Sequence, residues 1–411
     1  MNMPLIDENH YADAMRETVL PALAKCRVEG WMAPAGVDDE DLADGGSANG
    51  GNGASAGGAG GRHRDLDSRN DLDDAGDNSS GSYHPSPSNL FDISALPAPP
   101  APGKLHYVCF DAHKFDELNI DGASAKFRGA IVFSHGFTEF AEKHAEMTWY
   151  FLLAGYSVCI LEHRGHGYSV RDVANPSLVW IDDWRRYVAD LAKFAQGIGR
   201  IYADGQPLYL YAHSMGGGIG AAALECFPTL FDRAVLSSPM IEPVTGMPNA
   251  IAGPATALAS AIGLSRHCAP GQVEFSPTMK LKGYNGAEQS RVQWYFALRK
   301  ANTHYQTNAA TFGWVHQALK MSKAALDRGA CARIETPILL FQAGRDTWVH
   351  NSAQNRFVER VRVESGDVVL ERVEPAVHEI FSMPNAILGP YVDRIIDFYG
   401  ETIDEMVADE E

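Results

Sequence analysis

The sequence lacks a long hydrophobic run. No window of about 18 apolar residues occurs in its 411 positions, and its start has no basic segment followed by an uninterrupted apolar stretch. A membrane-spanning helix needs about 20 mainly apolar residues, and a secretory signal needs both of the features missing at the start. The sequence therefore predicts neither membrane spanning nor secretion, and a cytoplasmic location is the expectation.

Basic residues are scarce as well. The 34 Lys and Arg residues are outnumbered by 52 Asp and Glu residues, which gives a formal net charge of −18 at pH 7. Such a balance provides no general attraction to phosphate backbones or to anionic lipid surfaces. We therefore predict no nucleic-acid partner. Transient contact with a membrane or a micelle stays open, and nothing indicates the oligomeric state.

Cysteine pairs with metal-ligand spacing are absent. The six cysteines are scattered without a C-x-x-C pair, and two of them, Cys109 and Cys159, lie in strand-like apolar runs. Thiols in that setting are usually small buried hydrophobic groups. This pattern favours a reducing compartment over a disulfide framework or a zinc site.

Composition divides the chain into five parts. An amphipathic pattern over residues 11–28 predicts a docked helix within residues 1–35. Residues 36–103 are rich in Gly, Asp and Pro, with nine glycines among the 17 residues 45–61, and they are predicted to be a disordered insertion. The other parts are a first core segment at 104–239, a helical cap at 240–335 and a second core segment at 336–411.

From residue 104 onward, short apolar runs alternate with helical patterns. Continuous apolar runs separated by helices predict an α/β fold, with a mostly parallel sheet and helices on both faces. Residues 240–335 are too many for a simple loop and contain no clear strand, so we expect them to cover the carboxyl edge of the sheet. The predicted strands are 105–110, 130–133, 156–161, 207–211, 234–236, 337–341 and 368–373, and the predicted helices are about 141–154, 180–200, 216–226, 351–362 and 386–408.

Ser214 is the first residue that indicates chemistry. It stands in PLYLYAHSMGGG, where an apolar strand runs into a turn of small residues and then into a helix. That context is typical of a nucleophile elbow, which projects a serine hydroxyl above the sheet. Ala212 occupies the position where glycine is usual, and it keeps the side chain minimal. The alternative is an incidental serine at a Gly-rich helix start.

A nucleophilic serine needs a base, and the base needs an orienting acid. In this arrangement both follow the serine on loops after successive C-terminal strands. Asp346 ends the segment PILLFQAGRD, and His378 lies 32 residues later in VEPAVHEIF. We predict Asp346 as the acid and His378 as the base. Ordinary surface residues are the alternative for both, and His350 is a rival base that is expected to start a helix.

The negative charge that develops during acyl transfer requires two converging backbone N–H groups. Met215 follows the serine, and Phe137 follows a His-Gly turn after a predicted strand. We predict that their N–H groups form the oxyanion hole and that His135 shapes the loop. His163 and His166 follow another strand and could form a metal pair, but the carboxylate spacing of a metal site is missing, so no metal is predicted.

Together these motifs resemble the monoacylglycerol lipase and bacterial lysophospholipase family of α/β-hydrolases. The resemblance covers about 104–400 and implies an α/β-hydrolase fold with a helical cap. It also implies a serine hydrolase that cleaves carboxylic esters of monoacyl lipids and needs no cofactor. The matching positions are His135-Gly136-Phe137 with Glu139, Arg164-Gly165-His166-Gly167 with Ser169, Ala212 through Gly217, Gly344-Arg345-Asp346 and His378-Glu379.

The resemblance assigns the same roles as the residue argument does, namely Ser214 as nucleophile, Asp346 as acid and His378 as base. It also assigns the oxyanion-hole N–H groups to Phe137 and Met215. The chain departs from the family in two residues: Glu162 stands where Asp is frequent, and Phe137 stands where a smaller residue is common. The insertion at 36–103 is a third departure.

Three other functions stay open. A proline-type aminopeptidase or amidase of the same fold would use an acidic group in the cap to bind a free amine. A non-catalytic lipid-binding protein would not react with a fluorophosphonate, and an acyltransferase would pass the acyl group to an alcohol instead of water. The uncharged segment 245–264 is either the packing core of the cap or the wall of an apolar tunnel for one acyl chain.

Overall fold

The structure is a computed structural model. It describes residues 3–37, 96–278, 284–364 and 366–410. Of the insertion predicted for 36–103, residues 38–95 lie outside the described residues. Its described flanks, 36–37 and 96–103, contain neither helix nor strand.

The strands are short and mostly buried. In chain order the described residues contain β1 (Arg27–Met32), β2 (Leu105–Phe110), β3 (Ala130–Ser134), β4 (Ser157–Leu161), β5 (Leu178–Val179), β6 (Leu208–His213), β7 (Arg233–Ser237), β8 (Ala309–Ala310), β9 (Ile338–Ala343) and β10 (Val368–Val373). Eight of them form one sheet in the order β1-β2-β4-β3-β6-β7-β9-β10, and β5 pairs with β8 separately. In the large sheet β2 is antiparallel to both β1 and β4, and the other neighbours are parallel.

The helices lie between these strands. They are α1 (Tyr11–Ala14), α2 (Leu20–Cys26), α3 (Ala112–Asp116), α4 (Ala145–Leu153), α5 (Arg185–Phe194), α6 (Arg200–Ala203), α7 (Met215–Cys226), α8 (Asn249–Ala261), α9 (Gln289–Ala301), α10 (Phe312–Ala325), α11 (Arg328–Cys331), α12 (Asn351–Val363) and α13 (Asn385–Glu410). A π-helical turn joins α1 to α2, and another joins α5 to α6. In the described part of the chain, no helix combines the length and the apolarity that crossing a bilayer requires.

The predicted α/β class is confirmed. Strands β3, β4, β6, β7 and β9 are buried at every position, as their continuous apolar sequences require when helices cover both faces of the sheet. Along β6, Leu210 and Ala212 belong to one apolar cluster, whereas Tyr209 and Tyr211 belong to the cluster on the opposite face. This alternation is the two-residue period of a strand with a core on each side.

The N-terminal region differs from the prediction. The helix expected within residues 1–35 ends at Cys26, and the chain then continues as β1 at the sheet edge. Only the last residue of β1, Met32, is buried, so the strand has no continuous apolar run that would mark it in the sequence. Gly30 packs directly on the Tyr107 ring: a Cβ built there would lie 2.2 Å from Tyr107 Cζ.

The described residues between 240 and 335 are mostly helical, as the prediction of a helical cap requires, but they also contain the short strand β8, which the sequence did not predict. Helices α8, α9, α10 and α11 fall in this segment. Helix α10 packs on α7, which follows Ser214, and also on α8. The segment is therefore attached to the core beside the predicted nucleophile.

Both described ends of the insertion contact α5. Asp190 accepts a hydrogen bond from the Ala35 N–H at 2.7 Å. Arg186 donates to the carbonyls of Pro97 at 2.9 Å and Ala98 at 3.3 Å. Arg186 and Asp190 are four residues apart, so they lie on one face of the helix, about 6 Å apart along its axis. The chain thus leaves the core and returns to it at neighbouring points.

Candidate active site

Ser214 occupies a tight turn between β6 and α7. Its backbone has φ 52° and ψ −117°, a combination that a residue with a side chain rarely adopts. A Cβ on Gly216 would lie 2.1 Å from the Ser134 carbonyl oxygen, and one on Gly217 would lie 2.7 Å from Pro239 Cα. The small residues after the serine are therefore required by the close approach of three chain segments, and the turn projects the hydroxyl out of the sheet.

The structure brings Ser214, His378 and Asp346 together. His378 Nε2 lies 2.7 Å from Ser214 Oγ, and His378 Nδ1 lies 2.7 Å from Asp346 Oδ2. The second carboxylate oxygen of Asp346 accepts the N–H groups of Trp348 at 2.8 Å and Val349 at 3.1 Å. All three side chains lie at the carboxyl edge of the sheet, after β6, β9 and β10, as the sequence predicted.

Electrostatics keep Asp346 ionised. Burial alone would raise the pKa of this carboxyl. His378 and the two backbone N–H groups lower it by more than burial raises it, so the resulting pKa lies below the ordinary value. An ionised carboxylate only accepts hydrogen bonds, so it fixes the proton of His378 on Nδ1. The Nε2 atom is then free to accept the Ser214 proton.

The loop after β3 lies against the nucleophile. A Cβ built on Gly136 would be 3.0 Å from Ser214 Cβ, which places the following residue, Phe137, at the edge of the site. Within the described residues, the Phe137 N–H donates to no acceptor. Met215 is buried at the N-terminus of α7. Met215 therefore adjoins Ser214 in the chain, and Phe137 follows the glycine that contacts Ser214.

The Phe137 side chain points toward the cap. Its ring centroid lies 4.4 Å from that of Trp314 on α10 and 5.6 Å from that of His166. The bulky residue at this position thus forms an apolar contact between the oxyanion loop and the cap. Trp314 is 7% exposed, so this contact is part of the packed interior.

A cluster of buried charges braces the same loops. Glu139 accepts hydrogen bonds from the Gly136 N–H at 2.5 Å and from Lys143 Nζ at 2.9 Å. Lys143 also donates to Glu379, the residue after the base, at 2.5 Å. His213, the residue before Ser214, has its Nδ1 3.2 Å from Glu139 Oε1. We call Glu139, Lys143 and Glu379 the buried ionic cluster.

Pairing keeps this cluster charged despite its burial. Burial raises the pKa of Glu139, but Lys143, His213 and His144 lower it to well below the ordinary value. Burial lowers the pKa of Lys143, and the two carboxylates raise it above the ordinary value. The cluster joins the oxyanion loop to the loop of the base. Sequence reasoning did not find this role; the only local signal is the i, i+4 spacing of Glu139 and Lys143.

The other loop histidines have structural partners. His135 uses both ring nitrogens, one 2.8 Å from the Gly136 carbonyl and the other accepting the His163 N–H at 3.0 Å. Burial lowers the pKa of His135 to about 4. His350 precedes α12, and its N–H donates to the Glu242 carbonyl, whereas Asp346 contacts His378. Among the described residues, no group of three or more His, Cys, Asp and Glu could hold a metal ion.

Glu162, where the resemblance leads us to expect Asp, also braces a loop. It is fully buried and accepts the Tyr168 N–H at 2.7 Å and the Ala141 N–H at 3.0 Å. A Cβ on Gly167 would clash with its carboxylate at 2.1 Å. The longer carboxylate thus fills the space that the glycine leaves open.

Comparison with known proteins places this geometry in context. The Hydrolase_4 family model, described as "Serine aminopeptidase, S33", matches residues 125–385. Lysophospholipase L2 of Escherichia coli (strain K12) is 29% identical over 289 residues, which is 66% of this chain and 79% of that protein. The monoacylglycerol lipase of Mycolicibacterium smegmatis is 25% identical over 263 residues, which is 62% of this chain and 83% of the relative.

Two solved structures share the fold. A soluble variant of monoglyceride lipase from Saccharomyces cerevisiae, in complex with a substrate analog, aligns with TM-score 0.56 and 17% identity over 78% of this chain and 99% of that chain. A thermostable carboxyl esterase from Bacillus coagulans, in complex with glycerol, aligns with TM-score 0.57 and 15% identity over 73% and 95% of the two chains. At this identity the likeness supports the α/β-hydrolase fold alone.

Proposed function

Because the chain belongs to the Hydrolase_4 family, we propose that it is a serine hydrolase that cleaves the carboxylic esters of monoacyl lipids through an acyl-enzyme. The observation that carries this proposal is the continuous hydrogen-bond chain from Ser214 through His378 to Asp346. The names of the relatives, lysophospholipase L2 and monoacylglycerol lipase, support an ester of one acyl chain as the substrate.

In the acylation step, Ser214 Oγ attacks the ester carbonyl while His378 Nε2 takes the hydroxyl proton. The carbonyl oxygen becomes an oxyanion and accepts the Phe137 and Met215 N–H groups. Asp346 stabilises the imidazolium that forms. The bond to the alcohol then breaks, and His378 returns the proton to the leaving alcohol, so that the acyl group stays on Ser214.

In the deacylation step, water replaces the alcohol. His378 takes a proton from the water, the hydroxide attacks the acyl carbonyl, and the same N–H groups hold the second oxyanion. Ser214 Oγ leaves with the proton from His378, and a fatty acid is released. An acyltransferase would differ only here, because an alcohol would take the place of water.

An apolar wall beside the oxyanion loop supports a substrate with a hydrocarbon chain. The rings of Phe137 and Trp314 are tilted against each other with centroids 4.4 Å apart, and the half-buried Phe137 follows the glycine that contacts Ser214. Each methylene buried against such a wall contributes about 0.8 kcal/mol, so kcat/KM is expected to rise severalfold for every two carbons until the site is filled.

A series of glycerol and lysophospholipid monoesters tests this proposal. We expect fatty acid release by the wild-type chain, with kcat/KM rising from two to about twelve carbons below the micelle threshold. Triacylglycerols are expected to be poor substrates. A flat or falling dependence on chain length would contradict the monoacyl lipid assignment and favour a small-ester esterase.

The description of the family as a serine aminopeptidase supports a second candidate. An aminopeptidase needs an unpaired acidic group that binds the free amine of its substrate. Glu139, which contacts His213, and Glu379, which follows His378, are both paired with Lys143. Glu242 in the cap is paired with Arg356 at 2.6 Å. Faster hydrolysis of aminoacyl anilides than of monoacylglycerols would overturn our preference for esters.

We further propose that the chain acts in the cytoplasm. Its six cysteines are free thiols, and five of them are buried. Free thiols persist in a reducing compartment. Recovery of the native protein from an extracellular or periplasmic fraction would contradict this location.

A further inference from the structure

Helix α8 of the cap buries its small residues and exposes its large ones. The buried positions are Ala252, Thr256 and Ala259, which face α10. Ile251, Leu258 and Ile262 are 59%, 64% and 65% exposed. An ordinary surface helix shows the reverse arrangement, with large apolar residues in the core.

The exposed residues form a continuous stripe. Ile251, Leu258 and Ile262 are spaced at i, i+7 and i+11, which places them on one side of the helix. Met247 before the helix and Leu264 after it are also exposed. We call these five residues the α8 stripe. Contiguous exposed apolar residues of this size mark interaction sites on otherwise soluble surfaces.

The charge around the α8 stripe is opposite to the charge of the whole chain. Residues 243–273 contain Arg266 and no Asp or Glu, and α10 contains Lys320 and Lys323 and no Asp or Glu. The chain as a whole carries −18. Residues 240–335 contain ten Lys and Arg residues and five Asp and Glu residues, so the cap carries a positive net charge beside the apolar stripe.

A groove between α8 and α10 exposes two of these cations. It has a volume of about 500 Å³ and is lined by Gly253, Pro254, Ala257 and Leu319, with Lys320 and Lys323 among its walls. Glu242 also lines the groove, but its carboxylate is held by Arg356 and Asn249. At about 100° per residue, Pro254 of the groove lies about 60° around α8 from Ile251 of the stripe, so the groove borders the stripe on one side.

The start of the cap is also connected to the catalytic residues. The Val244 N–H donates to the Trp348 carbonyl at 2.8 Å, and the Trp348 N–H donates to Asp346 at 2.8 Å. Trp348 is 52% exposed and adds an aromatic side chain to this region. A surface that contacts the cap would therefore lie close to the loop of the acid.

We propose that the α8 stripe docks on an anionic lipid surface, with Arg266, Lys320 and Lys323 at its rim. This inference rests on the proposed function, because monoacyl lipids partition into bilayers and micelles. Apolar side chains that enter the acyl boundary, together with cations that face anionic headgroups, are the two contributions that bind an amphipathic helix to a membrane. The absence of acidic residues from both cap segments selects a lipid surface that carries negative charge.

Vesicle sedimentation of the full chain tests this docking. The vesicles are phosphatidylcholine alone or with 30% phosphatidylglycerol; both are diacyl lipids and therefore are not the proposed substrates. We expect binding to the anionic vesicles that weakens at high salt. The double variant Ile251→Ser/Leu258→Ser should lower the partition coefficient at least about tenfold, and Lys320→Gln/Lys323→Gln should lower it several-fold on anionic vesicles only.

Matched variants separate docking from loss of the fold. Ile201 and Val363 are 69% and 71% exposed and lie outside the cap, so Ile201→Ser/Val363→Ser should leave vesicle binding unchanged. Hydrolysis of monomeric monobutyrylglycerol should be the same in all variants, and failure of that reaction in the wild-type chain would contradict the proposed function instead. Equal vesicle binding by the stripe variant and its control would overturn the docking. A dimer that the stripe substitutions dissociate, without any change in vesicle binding, would also overturn it and assign the stripe to a second copy of the chain.

Discussion

The regions behind and above the catalytic serine pack in opposite ways: the first buries charged side chains, and the second exposes large apolar ones. Behind it, the buried ionic cluster pairs each of its charges, as the contacts of Glu139, Lys143 and Glu379 show. Above it, α8 buries alanines and leaves Ile251 and Leu258 in solvent. A buried charge without a partner is costly, so the core network has to be complete. The large apolar residues of α8 stay exposed in the described chain, as the proposed docking on a lipid surface requires.

The largest expected effect is the loss of ester hydrolysis when the nucleophile or its base is replaced. Ser214→Ala and His378→Ala should each lower kcat for ester hydrolysis by about 10⁴-fold or more, and the double variant should be scarcely worse because the residues act as a unit. Rates of fatty acid release, with circular dichroism as the control for folding, measure this. Retention of more than about a tenth of the wild-type rate by either single variant would disprove the assignment.

A carboxylate of the buried ionic cluster can be compared with a carboxylate of a partly exposed ion pair. Glu139→Gln leaves Lys143 and its neighbours without a full counter-charge in the interior, and we expect it to lower the free energy of unfolding by about 3–5 kcal/mol. Glu371→Gln breaks a pair with Arg394 whose side chains are 36% and 29% exposed, and it should cost less than about 1 kcal/mol. Urea unfolding of both variants gives the two values. Equal losses would show that burial does not distinguish these pairs.

Acid should destabilise the core through its buried histidines. Burial lowers the pKa values of His135, His144, His163 and His166, while pairing with Glu162 overcomes burial and raises the pKa of His106. Below a pH of about 6.5 the unfolded chain binds more protons than the folded chain at the four lowered sites, so stability must fall there as the pH falls. His106 has the opposite sign. Two buried carboxyls act in the same sense as His106, because burial raises the pKa of Asp190 to about 6 and raises the pKa of Glu225 well above its ordinary value.

We expect the four histidines to outweigh the groups of opposite sign, so that the free energy of unfolding falls from pH 7.5 to pH 5.5. The depressed pKa values of Asp346, Glu139 and Glu379 act in a different window, because the stability that they contribute is present above a pH of about 4 and is lost below it. Urea midpoints at pH 7.5, 6.5 and 5.5 check the histidine contribution. A constant or rising midpoint on acidification would contradict the expectation that the four histidines dominate.

The smallest effect is expected for deletion of the insertion. We propose that the insertion contributes neither to the packing of the core nor to the cap. Both of its described flanks contact α5, so replacing residues 40–94 with a short Gly/Ser linker keeps the contacts of Asp190 and Arg186. The composition of the deleted residues provides too little apolar surface to offset the entropy of ordering. Melting temperature and ester hydrolysis should therefore stay unchanged. A clear fall in the melting temperature would show that the insertion packs on the core.

The sheet and the predicted site residues could be located because their signals are local. A fully buried strand is a continuous apolar run, and the turn around Ser214 leaves small residues next to the serine. Strand β1 had no such signal because it is half exposed at the sheet edge. Whether a strand could be predicted therefore depended on its burial: a fully buried strand has a continuous apolar run, and a half-exposed edge strand does not.

Neither the buried ionic cluster nor the α8 stripe could be predicted from the sequence, and the reason differs between the two. Lys143 and Glu379 are 236 residues apart, so only the folded chain brings them together. In α8 the composition was clear, but its apolar residues are so numerous that periodicity did not show which of them face outward. The segment 245–264 is neither a large-residue packing core nor, on its exposed side, the wall of a tunnel.

The most direct test of the account is the site of reaction with a fluorophosphonate, located by mass spectrometry with and without monododecanoylglycerol. We predict a single adduct on Ser214 that forms more slowly when the monoacylglycerol is present and is not slowed by glycerol alone. An adduct on another residue, no adduct, or labelling that the monoacylglycerol does not slow would contradict it.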